Sequence, residues 1–121
     1  MIAIADRSMI VTVTTAREHF DAIAADQLAY ADVATGRMFS AHGVKLRGKF
    51  FAFLFHDEQL VVKLPADRVQ ELVDGGSAVP FEPGPGKKMR EWATLPYTDE
   101  NDPAWEPLVD EARLFVGSIT A

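Results

Sequence analysis

The stretch "KFFAFLF", residues 49 to 55, constrains this chain more than any other part of it. Phe50 to Phe55 are six apolar side chains in a row, far short of a membrane span. Bounded by glycine on one side and by "HDE" on the other, such a run reads as a strand with both faces covered. Simple alternation puts Phe51, Phe53 and Phe55 on one face and Phe50, Ala52 and Leu54 on the other. One face should meet helices, and the other needs cover from elsewhere in the chain or from a second subunit. A nucleobase-stacking platform would interleave aromatic with basic residues. Here Lys45, Arg47 and Lys49 gather at the turn instead, so the run reads as scaffold.

The flanking segments supply the rest of the architecture. Thr15 and Glu18 have capping-box spacing, and Phe20, Ile23, Ala24, Leu28 and Ala31 follow at helical spacing. Gly36 reads as the end of the connection after that helix, and residues 37–39 as a short strand. Val44 to Leu46, the turn "LRGK" and Lys49 to Phe55 form a hairpin, with Gly48 taking a positive φ at a G1 bulge. Residues 59–64 make the next strand, with Leu60, Val62 and Leu64 on one face and Val61 and Lys63 on the other. Pro65 suits a first helical position, and Val69, Leu72 and Val73 give a middle helix its buried stripe before Gly75 and Gly76 end it. "SAVPFEPGPGKK" reads as a long proline- and glycine-rich loop, and residues 89–95 as one more strand. On that strand Trp92 lies opposite Met89, Ala93 and Leu95 and is expected against a neighbouring helix. Asp102 and Pro103 announce a last helix with Trp105, Leu108, Val109, Ala112 and Phe115 inward, Pro107 leaving its regular start open. The sum is an α+β domain: an antiparallel sheet of hairpins with an N-terminal, a middle and a C-terminal helix packed on it. Residues 15–121 read as one such domain, and residues 1–14, with "MIVTV", as a tail or extra strand; Met9 is an alternative start.

Composition narrows the function classes. With no cysteine among 121 residues, disulfides, thiolate catalysis and cysteine-ligated zinc are excluded, in keeping with a reducing cytoplasm. No signal peptide or membrane span is legible, since Asp6 and Arg7 interrupt the N-terminal apolar residues. The formal net charge of −6 weighs against a stand-alone nucleic-acid binder. The charge is uneven, however: residues 36–90 carry nine basic and six acidic side chains, whereas residues 91–121 carry Arg113 against seven acids. The middle of the chain is therefore the place for an anionic partner.

Catalytic and metal chemistry find no constellation. His19, His42 and His56 lack metal-ligand spacing, and "HDE" at 56–58 reads as a solvated turn. Ser40 lies two residues before His42 without an oxyanion loop, and Ser77 has no nearby histidine. In "PGPGKK" the glycines are too close, Lys88 stands where serine or threonine belongs, and a strand follows rather than a helix, so it is no phosphate loop. The sequence thus implies no enzyme, no cofactor and no metal.

Taken together, "RMFSAHGVKLRGKFFAFLFHDEQLVVKLP" resembles the N-terminal domain of the TfoX/Sxy family of bacterial competence regulators. The features that carry the resemblance are Met38–Phe39, Ser40–Ala41, His42–Gly43, the hairpin at Gly48, and Leu60 to Leu64 with Lys63. The later "PFEPGPGKKMREWATLP" is similar to the same family's closing loop and strand, so the likeness runs from residue 15 to residue 117. Ser40–Ala41 stands where the family often has two glycines, which implies a less strained turn. Full-length competence regulators carry a further helical C-terminal domain, for which these 121 residues leave no room. The YjbR/MmcQ family is the nearest competitor, similar in size and strand order and described as DNA-binding-like. The resemblance implies a small regulatory domain acting through a regulatory protein or weakly through DNA, at a surface made of Arg37, His42, Lys45, Arg47, Lys49, Lys87, Lys88 and Arg90. The bland alternative for these residues is edge-strand lysines that block strand addition. The alternative function is a homodimeric interaction module that binds no nucleic acid.

Overall fold

The computed structural model describes residues 15–38, 40–56, 58–84, 86–98 and 102–120, without the side chains of 87, 88 and 102. The expected tail or strand at 1–14 lies outside the described residues. In chain order the elements are α1 (Ala16–Gln27), β1 (Val33–Met38), β2 (Ala41–Leu46), β3 (Lys49–Phe55), β4 (Gln59–Lys63), α2 (Ala66–Asp74), β5 (Val79–Gly84), β6 (Lys87–Pro96) and α3 (Asp102–Ile119). The strands form one antiparallel sheet in the order β1-β2-β3-β4-β6-β5, so the α+β architecture read from the sequence is the observed one.

All three helices lie on one face. Phe20 and Ile23 of α1, Val69 of α2 and Trp105, Val109 and Val116 of α3 share a core with Val44, Phe51, Leu54, Leu60, Val62 and Leu95 of the sheet. The start of α1 is fixed by the expected reciprocal cap: the Glu18 amide donates to Thr15 Oγ1 (3.0 Å) and the Thr15 amide to Glu18 Oε1 (2.9 Å). Its end differs from expectation. The helix stops at Gln27, and Leu28 and Ala31 are exposed in the turn that feeds β1. Gln27 is buried in their place, with Nε2 donating to Asp110 (2.7 Å) and Oε1 accepting from Arg113 (2.9 Å), which satisfies the amide against α3. Pro65 is the N-cap of α2 rather than its first residue. Pro107 lies inside α3, whose buried stripe ends on Val116 with Phe115 half-buried, because steps of four, three and four residues from Trp105 keep to one side of the helix. Arg68 ties α2 to α3 by donating to Glu111 (2.8 Å) and Glu71 (2.7 Å), and those bonds, Glu111 first, hold its guanidinium pKa above the ordinary value.

The hairpin between β2 and β3 has a different irregularity from the expected G1 bulge. Arg47 (φ 50°) and Gly48 (φ 83°) are both left-handed, the pattern of a two-residue type I′ turn, and Leu46 faces Lys49 directly. The extra residue comes later: Lys45 pairs with Phe50 and Val44 with Ala52, so Phe51 has no partner. This bulge resets the alternation. Phe51, Ala52 and Leu54 go to the helix face, and Phe50 joins Phe53 and Phe55 on the other, against the expected grouping of Phe51 with Phe53 and Phe55.

The second face is covered by the chain itself. Phe53 packs on Phe81 (ring centroids 5.4 Å apart) and Trp92 (5.5 Å), and Phe55 packs on Phe81 (5.2 Å). In a flat sheet β5 would lie three strand spacings, about 14 Å, from β3. These contacts therefore require the β5–β6 hairpin to coil over the face. The register shows where it bends: Pro80 pairs with Ala93 but Phe81 with Met89, so residues 90–92 have no rung on β5. That slip also turns Met89 and Trp92 to the same side, and Trp92 packs in this second cluster rather than against a helix. The expected loop at 77–88 thus contains an edge strand, where Pro80 and Pro83 are tolerated because an edge strand leaves one side's amides unpaired.

Gly36 lies inside β1, which is longer than expected, and faces Gly43 across the ladder. The Phe50 ring lies over this glycine pair: a Cβ at Gly36 would meet Phe50 Cζ at 3.1 Å, and one at Gly43 would meet Phe50 Cδ1 at 3.1 Å and the Ala52 carbonyl at 2.9 Å. Gly43→Ala should therefore lower stability by about 1–3 kcal/mol in urea unfolding, through forced displacement of β3. Gly84→Ala, whose added Cβ meets nothing within 4 Å, should stay within about 0.5 kcal/mol of the parent.

Candidate functional site

Charge is sorted by layer. The helices carry Glu18, Asp21, Asp26, Asp67, Glu71, Asp74, Asp102, Glu106, Asp110 and Glu111 against Arg17, Arg68 and Arg113. The strands carry Arg37, Lys45, Lys49, Lys63, Lys87, Lys88 and Arg90 against Glu82 and Glu91. A net charge of −6 thus conceals an acidic helix layer and a basic sheet.

The topology divides the expected surface. The β2–β3 tip at Arg47–Gly48 and the turn of the β5–β6 hairpin at Gly86 fall at the same end of the sheet, because β3 begins and β4 ends there and Lys63 pairs with Trp92 of β6. Arg47, Lys49 and the backbone of residues 87 and 88 belong to this end. Arg37 and His42 pair with each other at the opposite end. There His42 Nε2 lies 3.0 Å from Arg17 Nη2; since arginine can only donate, that ring nitrogen is the acceptor. Arg37 donates to the Ser40 carbonyl (3.4 Å). Lys45 stands on the helix-free face, its Nζ 5.8 Å from the centre of the Phe50 ring. Arg90 is exposed and lines a groove of about 640 Å³ with Val69, Val73 and Pro80, beside α2.

The cations at the shared end differ in how they are held. Arg47 donates to the Thr120 carbonyl (3.2 Å) at the end of α3 and faces Asp32 (3.4 Å), a contact between exposed groups. Lys49 is exposed and has no carboxylate partner among the described residues. Lys63, absent from the expected surface, lies with its Nζ 5.2 Å from the centre of the Trp92 ring and 3.4 Å from Glu91. Its place on the face opposite Leu60 and Leu64 is legible from alternation, but its neighbour Trp92 comes from a strand 29 positions away in the sequence. A depression of about 470 Å³ opens here, lined by Lys49, Phe50, Lys63 and Trp92 together with Met38 and Gly48, Val116 and Ile119 of α3, and Thr120 just beyond it.

The remaining polar residues form no reactive group. Ser40 occupies a left-handed turn position (φ 63°), and no hydrogen bond joins it to His42 among the described residues. The His56 ring lies tilted against Phe55 (centroids 3.9 Å apart), and Asp57 of the expected solvated turn lies outside the described residues. Among the described residues no group of three His, Asp or Glu side chains is placed to hold a metal ion. None of the described helices is long and apolar enough to cross a membrane. Comparison of the chain with protein-family models, with curated proteins and with solved structures gives no match.

If the lysines at this end serve recognition rather than folding, Lys63→Ala should change stability by less than about 1 kcal/mol, the worth of a surface cation–π or ion-pair contact. Phe53→Ala, at the centre of the second core, should cost about 3–5 kcal/mol. Chemical unfolding of the two variants under the same conditions checks the contrast.

Proposed function

We propose that this chain is a non-enzymatic regulatory binding domain of the TfoX N-terminal type, acting in the cytoplasm and meeting DNA weakly at the sheet end that carries both hairpin tips. The observation that supports this reading is the segregation of charge: the acids that make the chain anionic are on the helices, and the sheet end away from Arg37 and His42 is basic. An anionic helix layer repels DNA, so contact is confined to that end and its affinity rests on few phosphates. Anisotropy of a labelled duplex, titrated across salt concentrations, tests the reading. Log affinity should fall linearly with log salt, with a slope of about −0.9 per phosphate contacted. Arg47→Ala with Lys49→Ala should make that slope shallower by about 2, whereas Arg37→Ala should leave it unchanged. An anisotropy that stays flat at low salt removes DNA from the account.

A second reading, a homodimeric interaction module, is favoured by a different patch. Tyr30 and Leu114 are large apolar side chains left 46% and 63% exposed, they border one depression, and the Arg113 guanidinium lies 3.6 Å from the centre of the Tyr30 ring. A tyrosine, an arginine and a leucine so grouped make a suitable interface anchor. Sedimentation at micromolar concentration distinguishes the readings: a dimer that Leu114→Asp dissociates supports the second, and a monomer at every concentration ends it.

A further inference from the structure

We infer that the slot between the start of β3 and the end of β4 is a binding site for a small apolar carboxylate, an aryl or short alkyl acid. The ladder joining these strands ends at Ala52 and Val62, although β3 begins at Lys49 and β4 runs on to Lys63. Residues 49–51 of β3 lie outside that ladder, Phe51 being the residue bulged against β2, and the depression of about 470 Å³ is lined by Lys49 and Phe50 of this segment and by Lys63 of β4. Its volume is within the range of small-molecule sites, roughly 300–1,000 Å³.

The lining specifies the ligand's chemistry. Phe50 and Trp92 bound it from the sheet, and Val116 and Ile119 from α3, so its body is aromatic and aliphatic. A sugar or a nucleotide would leave its polar groups unpaired against such walls. Lys49 and Lys63 are the charged side chains on the rim, and no acidic residue is among those that line the slot. Glu91 reaches Lys63 from outside, and Lys49 has no carboxylate partner among the described residues. Lys49, whose ladder partner Leu46 is on the helix side, and Lys63, which lies over Trp92 on the other face, thus reach the slot from the two sides of the sheet, and an ammonium group beside an apolar floor matches one carboxylate head on a hydrocarbon or aryl body. Ile119, which is 55% exposed, would be covered by that body.

Naphthalene-1-carboxylate and its neutral amide have the same shape and differ in charge, so an NMR titration of the ¹⁵N-labelled full chain with each isolates the role of the lysines. The carboxylate should shift the amide signals of Lys49, Phe50 and Lys63 and the indole signal of Trp92, leaving the indole signal of Trp105 in place. The amide should bind about tenfold more weakly or worse, the loss expected of a charge-assisted contact. In the variant carrying Lys49→Ala and Lys63→Ala, at an exposed and a half-buried position, the carboxylate should fall to the affinity of the amide. The inference is overturned if these signals do not move, if the shifts centre elsewhere, if the two compounds bind equally, or if the double variant keeps its preference for the acid. DNA takes no part in the titration, so its result is independent of the proposed function.

Discussion

One strand must serve two cores, and β3 does so by containing a residue that its neighbour does not match. Without the bulge, Phe50, Ala52 and Leu54 would face the helices, and three phenylalanines would stand on the face that has none. With it, Phe51 turns in toward α3 and Phe50 turns out to lie over Gly36 and Gly43. Phe51 and Phe53 are both fully buried although they point in opposite directions. The glycine pair and the bulge form one device: the ring that the bulge sends outward needs a floor without side chains, and the two glycines supply it. An enforced regular alternation would send Phe50 to the helix face in place of Phe51 and leave the glycine pair without its ring.

Closure of the second face determines where recognition can occur. A sheet with helices on one side commonly offers its other side as a platform, but here the coiled β5–β6 hairpin brings Phe81 and Trp92 onto Phe53 and fills it. What remains for a partner is the perimeter. The perimeter is electrically divided, because the acids sit on helices whose inward stripes are apolar, and the lysines and arginines sit on strands and at tips. Ion pairs within the helix layer, such as Arg68 with Glu111 and Arg17 with Asp21, use up most of its few cations. The strand lysines are held differently: Lys45 and Lys63 lie over aromatic rings, Lys63 also facing Glu91, and Lys49 has no ion-pair partner among the described residues.

The legible and illegible parts of the chain divide along a physical line. Signals confined to one element mostly survive: the Thr15–Glu18 cap, the α3 stripe from Trp105 to Ala112, the alternation of Leu60 to Leu64 and the positive φ of Gly48 all depend on neighbours within a few residues. The larger errors come from interactions across elements. Gly36 read as the end of a connection because the ring covering it belongs to residue 50. Leu28 read as core because the buried Gln27 finds its partners, Asp110 and Arg113, more than eighty residues away. "SAVPFEPGPGKK" read as a loop from its prolines and glycines, although an edge strand tolerates both and Phe81 draws it over the second face. At the candidate site, the clustering of positive charge in the middle third was visible. The separation of Arg37 and His42 from Arg47 and Lys49, and the pairing of Lys63 with Trp92, required strand order and register.

The motif residues that suggested TfoX-type kinship have mostly architectural work in this chain. Gly43 makes room for Phe50, Gly48 closes a turn that needs two positive φ angles, and Leu60 and Leu64 belong to the helix-side core. Met38 packs against the second core, and the phenylalanine run divides between the two. A pattern made of such positions is selected by folding, so two chains can share it while meeting different partners. The residues that face outward at the basic end, Lys49 and Arg47, and the side chains that shape the slot from α3, Val116 and Ile119, are not fixed by that pattern. A resemblance carried by scaffold positions therefore bears on architecture, and the partner must be read from the few side chains that the architecture leaves uncommitted.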